Sequence, residues 1–254
     1  MDTMKYMPKI KLSVIIPIYN GEKDLERGVL DEVDKYLKEQ DYDYEVLIVD
    51  DGSSDNTVDV ALKQINNKTG FRLIKNPHKG KAVTVMTGLL ESHGEITVFT
   101  DIDQSTPLKE IEKFFPKFEK GFDIVIGSRS GRAGAPIVRK IVALGFAVLR
   151  TLILGLTISD TQCGFKAFNR QSIELIFTNM IKRYQNVTVS GRALNANFDV
   201  EFLYLAGKKH LKIAEVKVYW HDENPQNAHL IKNAIDALKG MIQVKLQDLK
   251  GKYD

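Results

Sequence analysis

The first 130 residues alternate short apolar runs with longer segments in which apolar residues recur at helical spacing. Five runs are typical of buried strands, namely KLSVIIPIY, YEVLIVD, FRLIKN, EITVFTD and DIVIGSR. Helical spacing is found in EKDLERGVLDEVDKYLKE, KAVTVMTGLLESH and PLKEIEKFFPKFEK, the last bent near Pro116, and another helix start follows DDGSSDNT. A strand followed by a helix, repeated four times, predicts an α/β fold with a parallel sheet.

The second half is less regular. It reads as a loop, SDTQCGFKAFNRQ, a helix, SIELIFTNMI, a polar stretch, a helix, FDVEFLYLAGKK, and a strand, LKIAEVKVYW. The last 25 residues have an apolar stripe at helical spacing and predict a helix packed on the body or on a membrane face. We therefore expect one domain over residues 1–222, with interfacial helices at about 136–158, and an amphipathic helical tail over 223–254.

Composition excludes several classes of protein. With 254 residues, 43% hydrophobic and 27% charged, the chain is typical of a soluble globular protein. Its single cysteine, Cys163, rules out an internal disulfide and is expected to be a small buried residue. The N-terminal stretch has no secretory signal pattern, and no segment reaches the roughly 20 apolar residues of a membrane span. A net charge of +3 is too small to indicate nucleic-acid binding, so we expect no such partner.

The charge is unevenly distributed. No acidic residue occurs between Asp123 and Asp160, a stretch that holds five basic residues beside the apolar runs IVALGFAVL and TLILGL; they are Arg129, Arg132, Arg139, Lys140 and Arg150. This pattern suits contact with an anionic membrane surface or with a phosphate. A buried helix pair with basic ends explains it equally well.

The stretch EITVFTDIDQSTP places two carboxylates, Asp101 and Asp103, directly behind a predicted strand. Like charges this close call for a cation, and carboxylates with phosphate oxygens are typical ligands of Mg²⁺ or Mn²⁺. Thr106 and Pro107 are explained by a helix start, which does not explain either acid. Lys81, at the start of the KAVTVMTG helix, is a candidate for holding an anion. Because parallel strands present their carboxyl ends at one edge, these residues are expected to meet.

The motifs SVIIPIYNGEKDL, VLIVDDGSSDNT, FTDIDQSTP, IGSR and DTQCGFKAF, in this order, resemble the inverting family 2 glycosyltransferases. DTQCGFK with a downstream FDVE is similar to the dolichyl-phosphate β-glucosyltransferase branch, and the likeness covers residues 11 to about 222. It implies a GT-A fold, with a Rossmann-like, mostly parallel sheet. It also implies transfer of a hexose or N-acetylhexosamine from a UDP-sugar to dolichyl or another polyprenyl phosphate, at the cytoplasmic face of a membrane, for protein N-glycosylation or cell-surface glycans.

The resemblance also implies roles for individual residues. The resemblance assigns donor binding to residues that match the nucleotide pocket, namely Pro17, Tyr19, Glu22 and Asp51. Asp101 and Asp103 match the DXD motif, which binds the metal and the nucleotide sugar. The resemblance assigns the acceptor phosphate to Arg129, Arg132 and Arg139. Asp199 and Glu201 are expected to contact sugar hydroxyls or to order Asp160 and Gln162.

The sequence departs from the family pattern at three places. The usual GKGxAxRxG has Ala82 in place of a glycine and Met86 in place of an arginine. Ser105 stands where mannosyl relatives carry a glutamine metal ligand, and Gln104 comes one residue earlier. The N-terminal membrane helix common in this branch is missing, so membrane contact is expected from the helices between Pro136 and Leu156.

The implied mechanism needs no strong general base, because a lipid phosphate is already an oxyanion at neutral pH. Three other functions stay open on the sequence. DIDQS approximates the nucleophile motif of haloacid dehalogenase-type phosphatases, in which Asp101 would be the nucleophile. The chain could also be a binding module that has lost turnover, or a family 2 transferase that uses another acceptor.

Overall fold

The computed structural model describes residues 10–129, 137–184, 198–221 and 230–253, without the side chains of 137–144, 146 and 230–236. Its first half follows the predicted alternation of strands and helices. The strands are β1 (Leu12–Ile18), β2 (Tyr44–Asp50), β3 (Phe71–Lys75), β4 (Ile96–Phe99) and β5 (Ile124–Ser128). The helices are α1 (Glu22–Glu26), α2 (Val29–Lys38), α3 (Thr57–Ile65), α4 (Lys81–Glu91) and α5 (Phe115–Glu119), with a 3-10 helix at Leu108–Lys113.

The second half adds α6 (Ile137–Leu154), β6 (Lys166–Asn169), α7 (Arg170–Tyr184), α8 (Phe198–Lys208), β7 (Ile213–Lys217) and α9 (Leu230–Leu249). The sheet has the order β3-β2-β1-β4-β6-β5-β7. β1 to β4 pair in parallel, as do β5 and β7, whereas β6 is antiparallel to both of its neighbours. The prediction of a loop throughout SDTQCGFKAFNRQ was wrong at β6, because a four-residue strand with a lysine facing the core lacks the apolar run of the other strands.

Two helix predictions need correction. The segment expected as one helix after β1 is divided into α1 and α2 at Gly28, whose φ of 89° lies in the left-handed region and interrupts the helical backbone. The pair of interfacial helices expected at about 136–158 is one helix, α6. The predicted bend near Pro116 is confirmed: the 3-10 helix ends before it, and α5 begins with this proline in its first turn.

The core lies on both faces of the sheet, because successive strand residues point to opposite sides. On one face, Ile15, Phe99 and Phe168 pack with α4, α7 and α8. On the other face, Val14 and Ile16 pack with α1, α2 and α3. Burial of both faces explains why the strands read as continuous apolar runs in the sequence.

α9 packs against α6 and α8. Asp248 anchors its end, accepting hydrogen bonds of 2.6 Å from the Tyr204 hydroxyl and the Lys208 ammonium. One stripe of the helix, with Met241 and Val244, is buried in the core. In the described part of the chain, no helix combines the length and apolar character needed to cross a membrane.

Candidate active site

The loops after β1 and β2 are joined by hydrogen bonds. Asn20 accepts one from the Ser54 N–H at 2.8 Å, and the Gly21 N–H donates to Thr57 Oγ1 at 2.8 Å. Glu22, in the first turn of α1, accepts from Asn56 Nδ2 at 3.0 Å. Two separate strand ends therefore form one wall at the carboxyl edge of the sheet.

Pro17 and Tyr19 lie on either side of the end of β1. Pro17 is buried in the strand and pairs with Val49 of β2. Tyr19 lies beyond the strand and stacks on the imidazole of His78, with ring centroids 4.3 Å apart and planes inclined by 10°. The stacked pair connects the β1 end to the loop between β3 and α4.

Asp51 organises that loop from within. Its carboxylate is buried and accepts hydrogen bonds from the backbone N–H groups of Lys79 at 2.9 Å and Gly80 at 3.0 Å. His78 Nδ1 lies 2.8 Å from the same carboxylate. The structure thus gives Asp51 a direct role in shaping the turn that begins α4, next to the position where the sequence predicts a nucleotide contact.

Asp101 and Asp103 follow β4 in a tight turn. Asp103 Oδ1 accepts the Ser105 N–H at 2.9 Å, which fixes this carboxylate above the turn. Gln104, with a φ of 51°, folds its amide back onto the Asp101 carbonyl at 3.0 Å and does not extend beside the two acids.

Lys81 contacts the first of the two carboxylates. Its ammonium forms an ion pair with Asp101 Oδ1. Burial lowers the pKa of Lys81, but the negative charge of Asp101, and then those of Asp199 and Asp103, outweigh this effect and raise the pKa. Negative charge therefore exceeds positive charge around Lys81, and the site attracts cations.

Asp101 also packs closely against Gly164. A Cβ atom at residue 164 would overlap Asp101 Oδ2 and would come within 2.8 Å of its Cγ. Only glycine leaves room for this carboxylate in its present position. The DTQCGFK segment thus packs directly against the first acid of the DXD motif. Cys163, in the same segment, is buried as expected.

Arg129, at the end of β5, is held by Asp160. Its Nε and Nη2 atoms donate to the two carboxylate oxygens, each at 2.8 Å, and its guanidinium lies 5.5 Å from the ring centroid of Trp220. Glu215 of β7 supports Asp160 by accepting the N–H groups of Ser159 at 3.0 Å and Asp160 at 2.9 Å. Burial raises the pKa of Asp160, but the hydrogen bonds and charge of Arg129 outweigh it, so the pKa is lowered.

Of the other two arginines of this group, Arg132 lies outside the described residues, and Arg139 belongs to α6, of which the structure describes the backbone at this position. Residues 220 and 221 connect the end of β5 to the turn that carries Asp101 and Asp103. Trp220 contacts Arg129, and the His221 N–H donates to the Ser105 carbonyl at 2.9 Å.

Asp199 lies in the first turn of α8, where Lys166 Nζ is 2.7 Å from its Oδ1 atom. Glu201 faces a different part of the protein and accepts hydrogen bonds from Arg183 at 3.0 Å and from the Tyr184 hydroxyl at 2.5 Å. The expectation that Asp199 and Glu201 order Asp160 was wrong, because Arg129 and Glu215 perform that task.

A divalent cation fits this edge of the sheet in one way. Among the described residues, no three His, Cys, Asp or Glu side chains are grouped closely enough to hold a metal ion. Among the described residues, Asp101 and Asp103 are the candidate ligands, and a hard cation held there would complete its shell with phosphate oxygens and water. Such a set suits an ion that is bound together with a diphosphate.

Sequence reasoning missed three residues of this site: His78, Gly164 and Lys166. His78 has no metal-ligand spacing with other histidines, and its stacking on Tyr19 depends on the loop. The signal for Lys166 lay in KAFN, because a lysine is uncommon in a buried strand. Gly164 precedes β6, and its role depends on the approach of Asp101, which comes from a distant part of the chain.

Comparison with known proteins agrees with this geometry. The model of the family described as Glycosyl transferase family 2 matches residues 13–177. The chain is 33% identical over 261 residues to a dolichyl-phosphate β-glucosyltransferase of Dictyostelium discoideum, covering 95% of this chain and 76% of the relative. It is 30% identical over 272 residues to the Homo sapiens protein of the same name, covering 97% and 78% of the two chains.

Solved structures confirm the GT-A fold. Mannosyl-3-phosphoglycerate synthase from Rubrobacter xylanophilus superposes with a TM-score of 0.66 at 16% identity, covering 96% of this chain and 75% of the other. Glucosyl-3-phosphoglycerate synthase from Mycobacterium tuberculosis, in complex with Mn²⁺, UDP and its product, superposes with a TM-score of 0.58 at 19% identity over 92% of this chain and 80% of the other. The family match and the relatives identify this chain as an enzyme that transfers hexoses. It belongs to glycosyl transferase family 2 and, within it, to the dolichyl-phosphate β-glucosyltransferases.

Proposed function

We propose that the protein transfers glucose from UDP-glucose to dolichyl phosphate, or a closely related polyprenyl phosphate, with inversion at the anomeric carbon. The observation that carries this proposal is the position of Asp101 and Asp103 in one turn at the carboxyl edge of the sheet, with Lys81 in contact with Asp101. The names of the relatives support glucose as the sugar and dolichyl phosphate as the acceptor. Other UDP-hexoses and UDP-N-acetylglucosamine are the competing donors.

The donor binds at the ends of β1, β2 and β4. Pro17, Tyr19 and Glu22 contribute to the nucleotide pocket, and Asp51 sets the shape of the loop that carries Lys81. When bound, Mg²⁺ or Mn²⁺ at Asp101 and Asp103 neutralises charge on the diphosphate. The UDP and Mn²⁺ of the mycobacterial synthase support this choice of nucleotide and ion.

The acceptor phosphate binds at the basic loop after β5. Arg129 is positioned for this task because Asp160 holds one edge of its guanidinium and Trp220 lies near its face. A guanidinium has five N–H donors, and Asp160 receives two of them in the bidentate pair. The family pattern assigns the same role to Arg132 and Arg139.

The reaction is an in-line displacement. A phosphate oxygen of the lipid attacks the anomeric carbon of the glucose, a new carbon–oxygen bond forms, and the bond to the β-phosphate oxygen of UDP breaks. The attacking oxygen is already deprotonated, so the enzyme's work lies in orientation and in stabilising the leaving group. The Lys81 ammonium donates to the diphosphate as its negative charge grows, and Asp199 accepts hydrogen bonds from sugar hydroxyls.

Membrane contact is proposed for α6 and α9, which pack against each other. α6 exposes Val148, Leu149 and Leu152, the last with 76% of its surface accessible. α9 exposes Ile242, Leu246 and Leu249 along one stripe, while its opposite stripe is buried. Apolar stripes beside exposed lysines, such as Lys250 and Lys252, suit the interface of an anionic membrane. We place this membrane contact on the cytoplasmic face.

The first experiment is a donor panel. Purified protein is incubated with Mg²⁺ or Mn²⁺, dolichyl phosphate and each radiolabelled UDP-sugar or GDP-mannose, and transfer into the organic phase is counted. We expect UDP-glucose to give the highest rate. The absence of any lipid-linked product would reject the proposal. Release of inorganic phosphate from phosphosugars would revive the phosphatase alternative, which neither the family match nor the relatives support.

A further inference from the structure

Lys166 is a buried lysine in the layer between the sheet and α8. Its side chain is 1% exposed, and its ammonium lies 5.3 Å from the ring centroid of Phe99 and 5.9 Å from that of Phe202. In the sheet it pairs directly with Phe99 of β4. Two polar partners contact the ammonium, the carbonyl of Cys163 and the Oδ1 atom of Asp199.

Stability alone does not explain a lysine at this position. Removing an ammonium from water costs several kcal/mol, and a well-packed apolar side chain at such a site often stabilises a fold as well or better. The neighbouring core residues of this layer are phenylalanines, beside which a methionine or leucine would pack readily. The lysine is therefore best explained by what it does to Asp199.

Asp199 faces two ways. One of its oxygens contacts Lys166 at 2.7 Å, whereas 27% of the side chain is accessible at the carboxyl edge. Its partner Lys166 pairs in the sheet with Phe99, two residues before Asp101. Asp199 is therefore tied to the strand end at which the donor sugar is proposed to bind.

A single short segment holds both acids. Gly164 packs closely against Asp101, and Lys166, two residues later, forms an ion pair with Asp199. β6 is antiparallel to its neighbours, so this segment enters the sheet from the site edge. The acids at 101 and 199 come from distant parts of the chain, and β6 fixes them relative to each other.

We propose that Lys166 is a positioning residue for donor specificity: its ammonium holds one oxygen of Asp199 and presents the other to a hydroxyl of the donor hexose. This inference rests on the proposed function and deepens it. The class of ligand is a sugar bearing a hydroxyl at the position that Asp199 reaches. An analogue lacking that hydroxyl would leave the carboxylate unpaired, so the enzyme should reject it.

The test compares UDP-glucose with its monodeoxy analogues. For wild-type protein we expect kcat/KM to fall at least about 100-fold for one of the deoxy donors. Lys166→Met should reduce that discrimination at least about tenfold, mainly through a lower kcat on UDP-glucose, while the Kd of UDP stays within about threefold. Asp199→Asn should have the same effect, and the double variant should be no worse than either single variant.

Lys68→Met is the matched control. Lys68 is also a largely buried lysine, with 10% of its side chain exposed, and it pairs with Asp31 next to α3 and away from the sugar site. Its substitution is expected to lower Tm without changing the discrimination between donors. Lys166→Gln, which keeps a hydrogen-bond donor near Asp199, should show intermediate discrimination and serves if Lys166→Met does not fold.

The outcomes separate the two proposals. Wild-type discrimination that persists in Lys166→Met and Lys166→Gln would overturn the role of Lys166 alone. Losses that multiply in the double variant, or a parallel loss of UDP affinity and kcat in Lys166→Met, would also overturn it by assigning Lys166 a general structural role. A wild-type protein that transfers no sugar to lipid would overturn the proposed function and this inference with it.

Discussion

Gly164 lies so close to Asp101 that a Cβ atom at residue 164 would overlap the Oδ2 atom of the carboxylate. The first acid of the DXD motif is thus held from below by a segment more than 60 residues later in the chain. This contact leads to the first prediction, because Asp101 has no room to accommodate a methyl group without moving.

Gly164→Ala should displace Asp101 and lower kcat/KM about 100-fold, the usual effect of a shift of about 1 Å at a reacting centre. The measurement is transfer of labelled glucose to dolichyl phosphate, together with Tm. Gly207→Ala is the control, since a Cβ atom at residue 207 meets nothing within 4 Å. Equal activity of the two variants would show that the position of Asp101 is unimportant.

Asp103→Ala should abolish transfer and leave the fold intact, because the remaining acid alone would hold a divalent cation weakly. Mn²⁺ binding in the presence of UDP, followed by electron paramagnetic resonance, should weaken in parallel. A metal chelator should abolish transfer by the wild-type enzyme, and added Mg²⁺ or Mn²⁺ should restore this activity. Asp59→Ala, on the exposed side of α3, is the control. A fully active Asp103→Ala protein would remove the metal role from this residue.

Asp51→Ala should leave the N–H groups of Lys79 and Gly80 without their acceptor. Each unsatisfied donor costs about 1 to 3 kcal/mol when it is buried, so the loop before α4 should rearrange. We expect the Kd of UDP, measured by calorimetry, to rise about tenfold and Tm to fall. Unchanged UDP affinity would mean that the shape of this loop does not contribute to donor binding.

The pair of Asp160 and Arg129 predicts a pH dependence of stability. The folded-state pKa of Asp160 is lowered below its ordinary value of 3.8, so the pair stabilises the fold fully above that pH. The contribution is lost as the pH falls below 3.8 and through the lower folded-state pKa. Urea unfolding of wild-type and Asp160→Asn protein between pH 7 and pH 2 should show a difference that shrinks over this acidic range. A difference that stays constant would contradict the prediction.

Leu152→Ser combined with Leu249→Ser should weaken membrane binding. These side chains are 76% and 73% exposed on α6 and α9, so their loss should leave the fold intact. The partition coefficient onto vesicles containing anionic phospholipid, measured by co-sedimentation, should fall at least about 30-fold, because each of the two leucines contributes on the order of 1 to 2 kcal/mol when it is buried in the interface. Leu62→Ser, an equally apolar change on α3, is the control. Equal vesicle binding by all three proteins would exclude α6 and α9 from the contact.

Much of the fold could be predicted from local sequence. Strands β1 to β5 are apolar runs, and their polar ends, such as Asn20, Asp51 and Asp101, follow from the position where each run stops. The parallel order then places these ends at one edge. Two features were not predicted. At Gly28 a left-handed backbone conformation divides the expected helix, and β6 was missed because its buried Lys166 interrupts the apolar pattern of a strand. In both cases a single residue outweighs the surrounding periodicity.

The α/β class, the two acids of the DXD motif and the basic, apolar region after β5 can be recognised from the sequence, because each consists of residues that are close along the chain. The pairing of charges, in contrast, is a property of the tertiary structure. Asp160 pairs with Arg129, Lys166 with Asp199, and Lys81 with Asp101, across separations of 20 to 33 residues. Such pairings depend on how strands and helices are arranged in space, and periodicity, which reports only on neighbours within a few turns, contains no information about them.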